Sequence, residues 1–309
     1  MLKERVLSAI IMIIAVLAAI FWLSPLPLTL VLSAIVVAAM WEWAQFAGFK
    51  HPVPRAIVAM VTICLLLFAI VANTDYIRAT RFITDETTPI LFIGCIWWLI
   101  ALVLVATYPN SAKLWEKSVA AKFLFGLATL VPFLIGTLAL RFHNYAFDPY
   151  QGTYLFLYVC LLVWGADSGA YFAGRAFGKR KLAPKVSPGK SWEGVIGGVL
   201  TSSLIAFTFL QLTPANVFGK ALATTPFILV SVGMVAISVL GDLAESMFKR
   251  QAGIKDSSQL IPGHGGILDR IDSLTAAVPF FATFFFFCTI EYDVHHCIFY
   301  FNLRTGFCA

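Results

Sequence analysis

GDLAESMFKRQAGIKDSSQLIPGHGGILDRIDS, residues 241–273, is the densest polar island of the chain, and apolar runs flank it at about 225–241 and 274–290. The island holds Asp242, Glu245, Lys249, Arg250, Lys255, Asp256, His264, Asp269, Arg270 and Asp272. Working outward, further apolar runs stand at about 6–23, 26–47, 54–73, 89–108, 119–141, 153–174 and 194–212. Each approaches the ~20 residues that cross ~30 Å of hydrocarbon. Helices satisfy their own backbone in lipid, so the pattern predicts an all-α, polytopic membrane bundle of about nine transmembrane helices. Composition agrees, with 60% hydrophobic and 12% charged residues among 309, far from an ordinary soluble domain. The charged start MLKER precedes an apolar run too long for a signal-peptide core, which predicts an uncleaved first span.

Orientation follows from the basic residues. Of the 22 Lys and Arg, only Arg78, Arg81, Arg141, Lys220 and Arg304 fall in one alternate set of loops. The rest gather on the side of the N-terminus, which the positive-inside rule places in the cytoplasm. Both long polar loops, 173–193 and 242–273, then face the cytoplasm. The net charge of +6 has the same origin and points to no nucleic acid. Cys64, Cys95, Cys160 and Cys288 sit inside apolar runs, and with Cys297 and Cys308 they show no C-x-x-C spacing, so neither a disulfide frame nor a zinc site is expected. The chain divides into residues 1–152, spans acting as scaffold, dimer contact or lipid-facing surface, and 153–309, a half that carries the chemistry.

In the first half Glu42, between Trp41 and Trp43, reads more readily as an interfacial glutamate among belt tryptophans than as an acid facing a polar cavity. In the second, Asp167 lies about two helical turns inside Arg175, where an acid should face the bundle interior or water. The pairs Gly165/Gly169 and Gly194/Gly198 predict close helix packing. Between them runs GKRKLAPKVSPGKSWEG, whose PGKS lacks the glycine (Pro184 stands there) and the preceding strand of a P-loop. It is read instead as Ser187, Pro188 and Gly189 opening a helix whose free N–H groups face an anion, with Lys190 and Ser191 beside it. Lys179, Arg180 and Lys181 suit lipid head groups.

If the eighth span stays helical to about Arg250, Asp242, Glu245, Ser246 and Lys249 share one face. Asp269, Asp272 and Ser273 share a face of the helix that opens the ninth span. The loop between them carries Gly253, Pro262, Gly263, Gly265 and Gly266, which lets backbone approach a ligand. Carboxylates among lysines and arginines suit a divalent metal with phosphate.

SMFKRQAGIKDSSQLIPGHGGILDRID, from Ser246 to Asp272, resembles the signature of the bacterial phosphatidate cytidylyltransferases, or CDP-diacylglycerol synthases, without departure. GADSGAY at 165–171 and SPGKSWEG at 187–194 are similar to further motifs of that family, while the first half agrees only in being a run of spans. The resemblance implies transfer of CMP from CTP to phosphatidate, giving CDP-diacylglycerol and pyrophosphate for phospholipid synthesis. It implies Mg²⁺, with a second, monovalent cation such as K⁺, on Asp242 and Asp269 with Asp272 next in line. It makes Lys249, Arg250, Lys255 and Arg270 phosphate contacts, His264 a phosphate or pyrophosphate contact, and Asp167, Ser187, Lys190, Ser191 and Asp256 substrate-binding. A homodimer in the inner membrane, with membrane lipid as partner, is the matching expectation, to which the glycine pairs add weak support. The tail EYDVHHCIFYFNLRTGFCA carries no assigned role, and His295, His296 and Cys297 read as incidental. Two other readings are a cation-coupled transporter, set against by polar residues crowding one end, and a CTP-dependent lipid-alcohol kinase, which differs in its products.

Overall fold

The computed structural model describes residues 2–84, 87–213, 224–261 and 263–305, with side chains from 8 to 286 except at 76 and 224–226. His295, His296, Cys297, Cys288 and Cys308 therefore lie outside the described side chains, as does Pro262.

Helices dominate: α1 (Leu2–Trp22), α2 (Pro25–Trp43), α3 (Pro52–Ala72), short α4 (Thr74–Arg78), α5 (Thr88–Ala106), short α6 (Ala112–Trp115), α7 (Val119–Arg141) and α8 (Gln151–Phe177). A hairpin of β1 (Lys181–Ala183) and β2 (Ser187–Ser191) follows, then α9 (Trp192–Leu212), α10 (Thr224–Ala252) and α11 (Leu268–Thr305). Proline in the first turn starts α2, α3 and α5, where a missing N–H costs nothing. Among the described residues, 7 helices are long and apolar enough to cross a membrane: α2, α3, α5, α7, α8, α9 and α10. The protein is an all-α, multi-pass membrane bundle. Its α3 and α9 turn Ile57, Met60, Phe68, Ile196, Leu200 and Leu204 outward, as lipid-facing surfaces do.

One local expectation fails. Residues 187–189 do not open a helix; Ser187 to Ser191 form β2, paired antiparallel with β1 at Lys181–Ser191 and Ala183–Ser187. The helix begins at Trp192, because Ser191 adopts extended backbone and its Oγ accepts from Gly194 N at 3.2 Å. A serine able to cap outranks a Pro-Gly pair that would place Gly189 within the helix.

Two apolar clusters hold the bundle. One joins Trp43 and Phe46 to Trp97, Trp115, Met247 and Phe248, so it draws on both halves of the chain. Phe248 is its hub, with ring centroids 5.1 Å from Trp43 and 5.0 Å from Trp115. The other centres on Tyr158, Phe227, Phe281 and Phe285. Between α8 and α9 the glycines pack as expected. A Cβ on Gly169 would lie 2.8 Å from Gly197 O, and one on Gly198 would lie 2.9 Å from Ala166 O. Because these pairs face each other inside one chain, their support for a homodimer falls away.

Gly198→Leu should therefore push α9 off α8, at a cost of about 1–3 kcal/mol. A melting temperature in detergent unchanged from the unsubstituted protein would show that the backbones do not meet there.

Candidate active site

Helical geometry in α10 persists through Ala252, and α11 opens at Leu268, so the two carboxylate faces form as their spacing requires. They meet because Gly241 has no side chain: a Cβ there would sit 2.5 Å from Asp272 O. Lys249 Nζ lies between them, 2.6 Å from Asp269 Oδ1 and 3.4 Å from Glu245 Oε2. Asp269 Oδ2 accepts from Ser257 N at 2.9 Å, Ser257 Oγ at 2.9 Å and Gly266 N at 2.8 Å. Both Asp269 oxygens thus close the loop onto α10. Burial pushes this carboxyl up, but Lys249 and the N–H groups of Gly266 and Ser257 outweigh it and hold it below its ordinary range.

Glu245 is buried at 4% exposure and shares a side-chain hydrogen bond with Asp272, while Lys249 Nζ stands 3.4 Å away on its other side. Beside it stands Asp272, ahead of the apolar run that begins at 274. Removal from bulk water, reinforced by the charge on Asp242, pushes the Asp272 carboxyl up to about 7.

In front of this layer lies a cavity of about 500 Å³ between α8, the hairpin, α9 and α10, lined by Asp167, Tyr171, Arg175, Ser187, Lys190, Ser191 and Asp242 among others. Lys190 Nζ sits 2.7 Å from Asp242 Oδ2, and Ser246 Oγ donates to Asp242 Oδ1 at 3.2 Å. The hairpin holds Lys190 there: Arg250 Nε donates to Val186 O at its turn at 3.2 Å.

Of the residues expected from sequence, Asp167, Ser187, Lys190, Ser191 and Asp242 line the cavity. Lys249, Asp269 and Asp272 form the layer behind it, where the charge on Lys249 acts on Asp272. Arg270 is exposed at the opening of α11, near enough for its charge to act on Asp167. Lys255 and Asp256 are exposed on the loop and do not line the cavity. His264 Nδ1 lies 2.8 Å from Ser8 Oγ, joining the loop to α1.

Glu42 is not the interfacial acid that its flanking tryptophans predict. It is fully buried, and reaches across the chain to the loop. Its Oε1 accepts from Ser258 Oγ at 2.5 Å and Ile267 N at 3.0 Å; its Oε2 accepts from Ser257 Oγ at 2.9 Å and Leu268 N at 2.7 Å. It therefore caps α11 and fixes the loop, as neighbouring Gln45 does by donating to Ser257 O. A Cβ on Gly266 would meet Glu42 Oε2 at 2.6 Å, which explains a glycine there. The only sequence signal for this role was a charge inside an apolar run.

Metal fit can be judged from the donors. Among the described residues no three His, Cys, Asp or Glu side chains form a ready-made shell. Mg²⁺ needs none, because one or two carboxylates with water and substrate phosphate complete its octahedron. Asp242 opens on the cavity with Asp272 behind it, and Glu245 backs Asp272 through a side-chain hydrogen bond. These residues fit a divalent cation.

Fold and site together define a class: a membrane-embedded protein with a phosphate-suited centre of carboxylates and lysines at one end of a helix bundle. The model of the Cytidylyltransferase family matches residues 3–288, and the chain belongs to that family. It is 54% identical over 287 residues to the phosphatidate cytidylyltransferase of Haemophilus influenzae, covering 93% of this chain and 99% of that one. Identity is 42% to the Pseudomonas aeruginosa protein of that name (91% and 96% covered) and 32% to the one from Bacillus subtilis (90% and 96%).

Glu42→Gln turns one accepting oxygen into a donor facing other donors, so it should destabilise the protein by about 2–3 kcal/mol. Limited proteolysis should then cut between 255 and 267 first. A protease-resistant, equally stable variant would remove Glu42 from this role.

Proposed function

We propose that this protein transfers CMP from CTP to phosphatidate, forming CDP-diacylglycerol and pyrophosphate. The observation that carries the reading is the cavity where Lys190 meets Asp242 in front of the Glu245, Asp269 and Asp272 layer, in a chain with phosphatidate cytidylyltransferases as full-length relatives. A lipid phosphate oxygen attacks the α-phosphorus of CTP, and the bond to the β-phosphate oxygen breaks. The second pKa of a phosphate monoester is near 6, so the attacking group is largely dianionic at neutral pH and needs no general base. The barrier is repulsion between polyanions, which positioning and charge neutralisation lower.

Asp242 and Asp272, with Asp167 facing the same cavity, are the residues that would hold Mg²⁺; Asp269, expected beside Asp242 from the resemblance, has its oxygens engaged by Lys249, Ser257 and Gly266. Glu245 steadies Asp272 from behind through their shared hydrogen bond, and a second, monovalent cation such as K⁺ would share the open face at Asp242 and Asp167. When bound, the cations screen the phosphates and favour in-line displacement. Lys190 turns from Asp242 to the CTP phosphates, joined by Arg175 from α8 and Arg270 from α11. Lys249 holds Asp269, which keeps the loop closed. Ser191 fixes the start of α9, so the hairpin presents Ser187 and Lys190 to the cavity. The concentration of Lys and Arg around this end supports a cytoplasmic site in the inner membrane, where CTP is available.

Purified protein given α-labelled CTP, phosphatidate and Mg²⁺ should yield labelled lipid and pyrophosphate. Labelled CDP with phosphorylated lipid would indicate a kinase, and no turnover by a folded sample would overturn the reading. Asp242→Asn should lower kcat about 100-fold or more with an unchanged melting temperature. Lys190→Gln should raise KM for CTP.

A further inference from the structure

The end of the bundle remote from the carboxylates holds a second cavity, of about 320 Å³, between α2, α3, α4 and α7. Its walls include Leu66, Ile70, Leu134 and Leu138, and Thr29 and Ser33 line it from α2. Thr29 and Ser33 lie 13 and 9 residues before Glu42 on that helix, or about 14–20 Å along its axis. The substrate cavity shares none of its lining residues.

Two features mark it as a site and not a packing fault. Ser33 is 7% exposed and its Oγ has no hydrogen-bond partner, whereas Thr29 returns its hydroxyl to Pro25 O at 2.8 Å. A buried hydroxyl left unpaired is costly, and here it faces open space that an acceptor can enter. Second, Arg81 lines the cavity and pairs with no described residue. Arg81 and Phe82 also line an adjoining cavity of about 290 Å³ whose wall includes His143 and Asn144. Two largely apolar compartments thus meet at a single arginine, which suits an amphiphile whose one anionic group sits beside its chains.

We propose that this is a binding site for an anionic membrane phospholipid, with its phosphate at Arg81, one acyl chain between α3 and α7, and an ester carbonyl accepting from Ser33. Arginine favours phosphate through charge-assisted hydrogen bonds, and pockets of this volume are of ligand-binding size.

The test uses phosphatidylglycerol and phosphatidylcholine, each with a photoreactive diazirine in one acyl chain, in phosphatidylcholine nanodiscs containing the full chain. Phosphatidylglycerol should label Leu66–Ile70 and Leu134–Leu138 about tenfold more than phosphatidylcholine, the difference one charge-assisted contact makes. Arg81→Gln should erase that preference. Ser33→Leu, which fills the cavity floor with apolar bulk and should not lower the melting temperature, should reduce labelling by both lipids. Equal labelling by the two lipids overturns the proposal, as do label confined to other helices, a second copy of the chain covering these segments, and labelling that neither substitution changes.

Discussion

Four donors, three from the segment between α10 and α11 and one from the first residue of α11, converge on one carboxylate that belongs to α2. That segment has few large apolar side chains and several glycines, so packing cannot define its shape. Two acids define it instead. Glu42 holds it from the N-terminal half, Asp269 holds it from within, and the two meet at the Ser257 hydroxyl, 2.9 Å from each. One hydroxyl proton serves only one acceptor at a time. The backbone N–H of Ser257 secures Asp269 in either case. Stripped of Glu42, the loop would keep its fastening to α10 and α11, but the first half of the bundle would hold it only through Gln45 at Ser257 O and Ser8 at His264.

The charge pattern of the site depends on that fastening. At the rear Lys249 is paired with Asp269 and Glu245 shares a hydrogen bond with Asp272, so the anionic charge of the floor lies chiefly at Asp242, while Lys190, Arg175 and Arg270 stand nearer the opening. An anionic substrate approaching alone meets attraction at the rim and repulsion at the floor. A phosphate arriving with a cation is matched by both.

Much of this was legible in the chain. The spans follow from uninterrupted apolar length, and the carboxylate faces follow from 3.6-residue periodicity running past the end of an apolar run. The packing role of Gly169 and Gly198 is likewise local. What escaped depends on distance or on competition between weak signals. Glu42 and Ser257 are 215 residues apart, and His264 and Ser8 are 256 apart; neither pairing leaves a trace in spacing. The hairpin is too short to show period-two alternation and is interrupted by Pro184 and Pro188, so its residues Ser187, Pro188 and Gly189 read as a helix start.

That hairpin measures distance. With Lys181 paired to Ser191 and Ala183 to Ser187, two steps along β1 face four along β2, so the turn and this bulge together determine which face of β2 Lys190 occupies, and Ser191 ties the same register to the first turn of α9. Adding or deleting one residue between that bulge and Ser191 would turn Lys190 away from Asp242 without altering its chemistry. The length of this loop, as much as its lysines, is therefore under constraint.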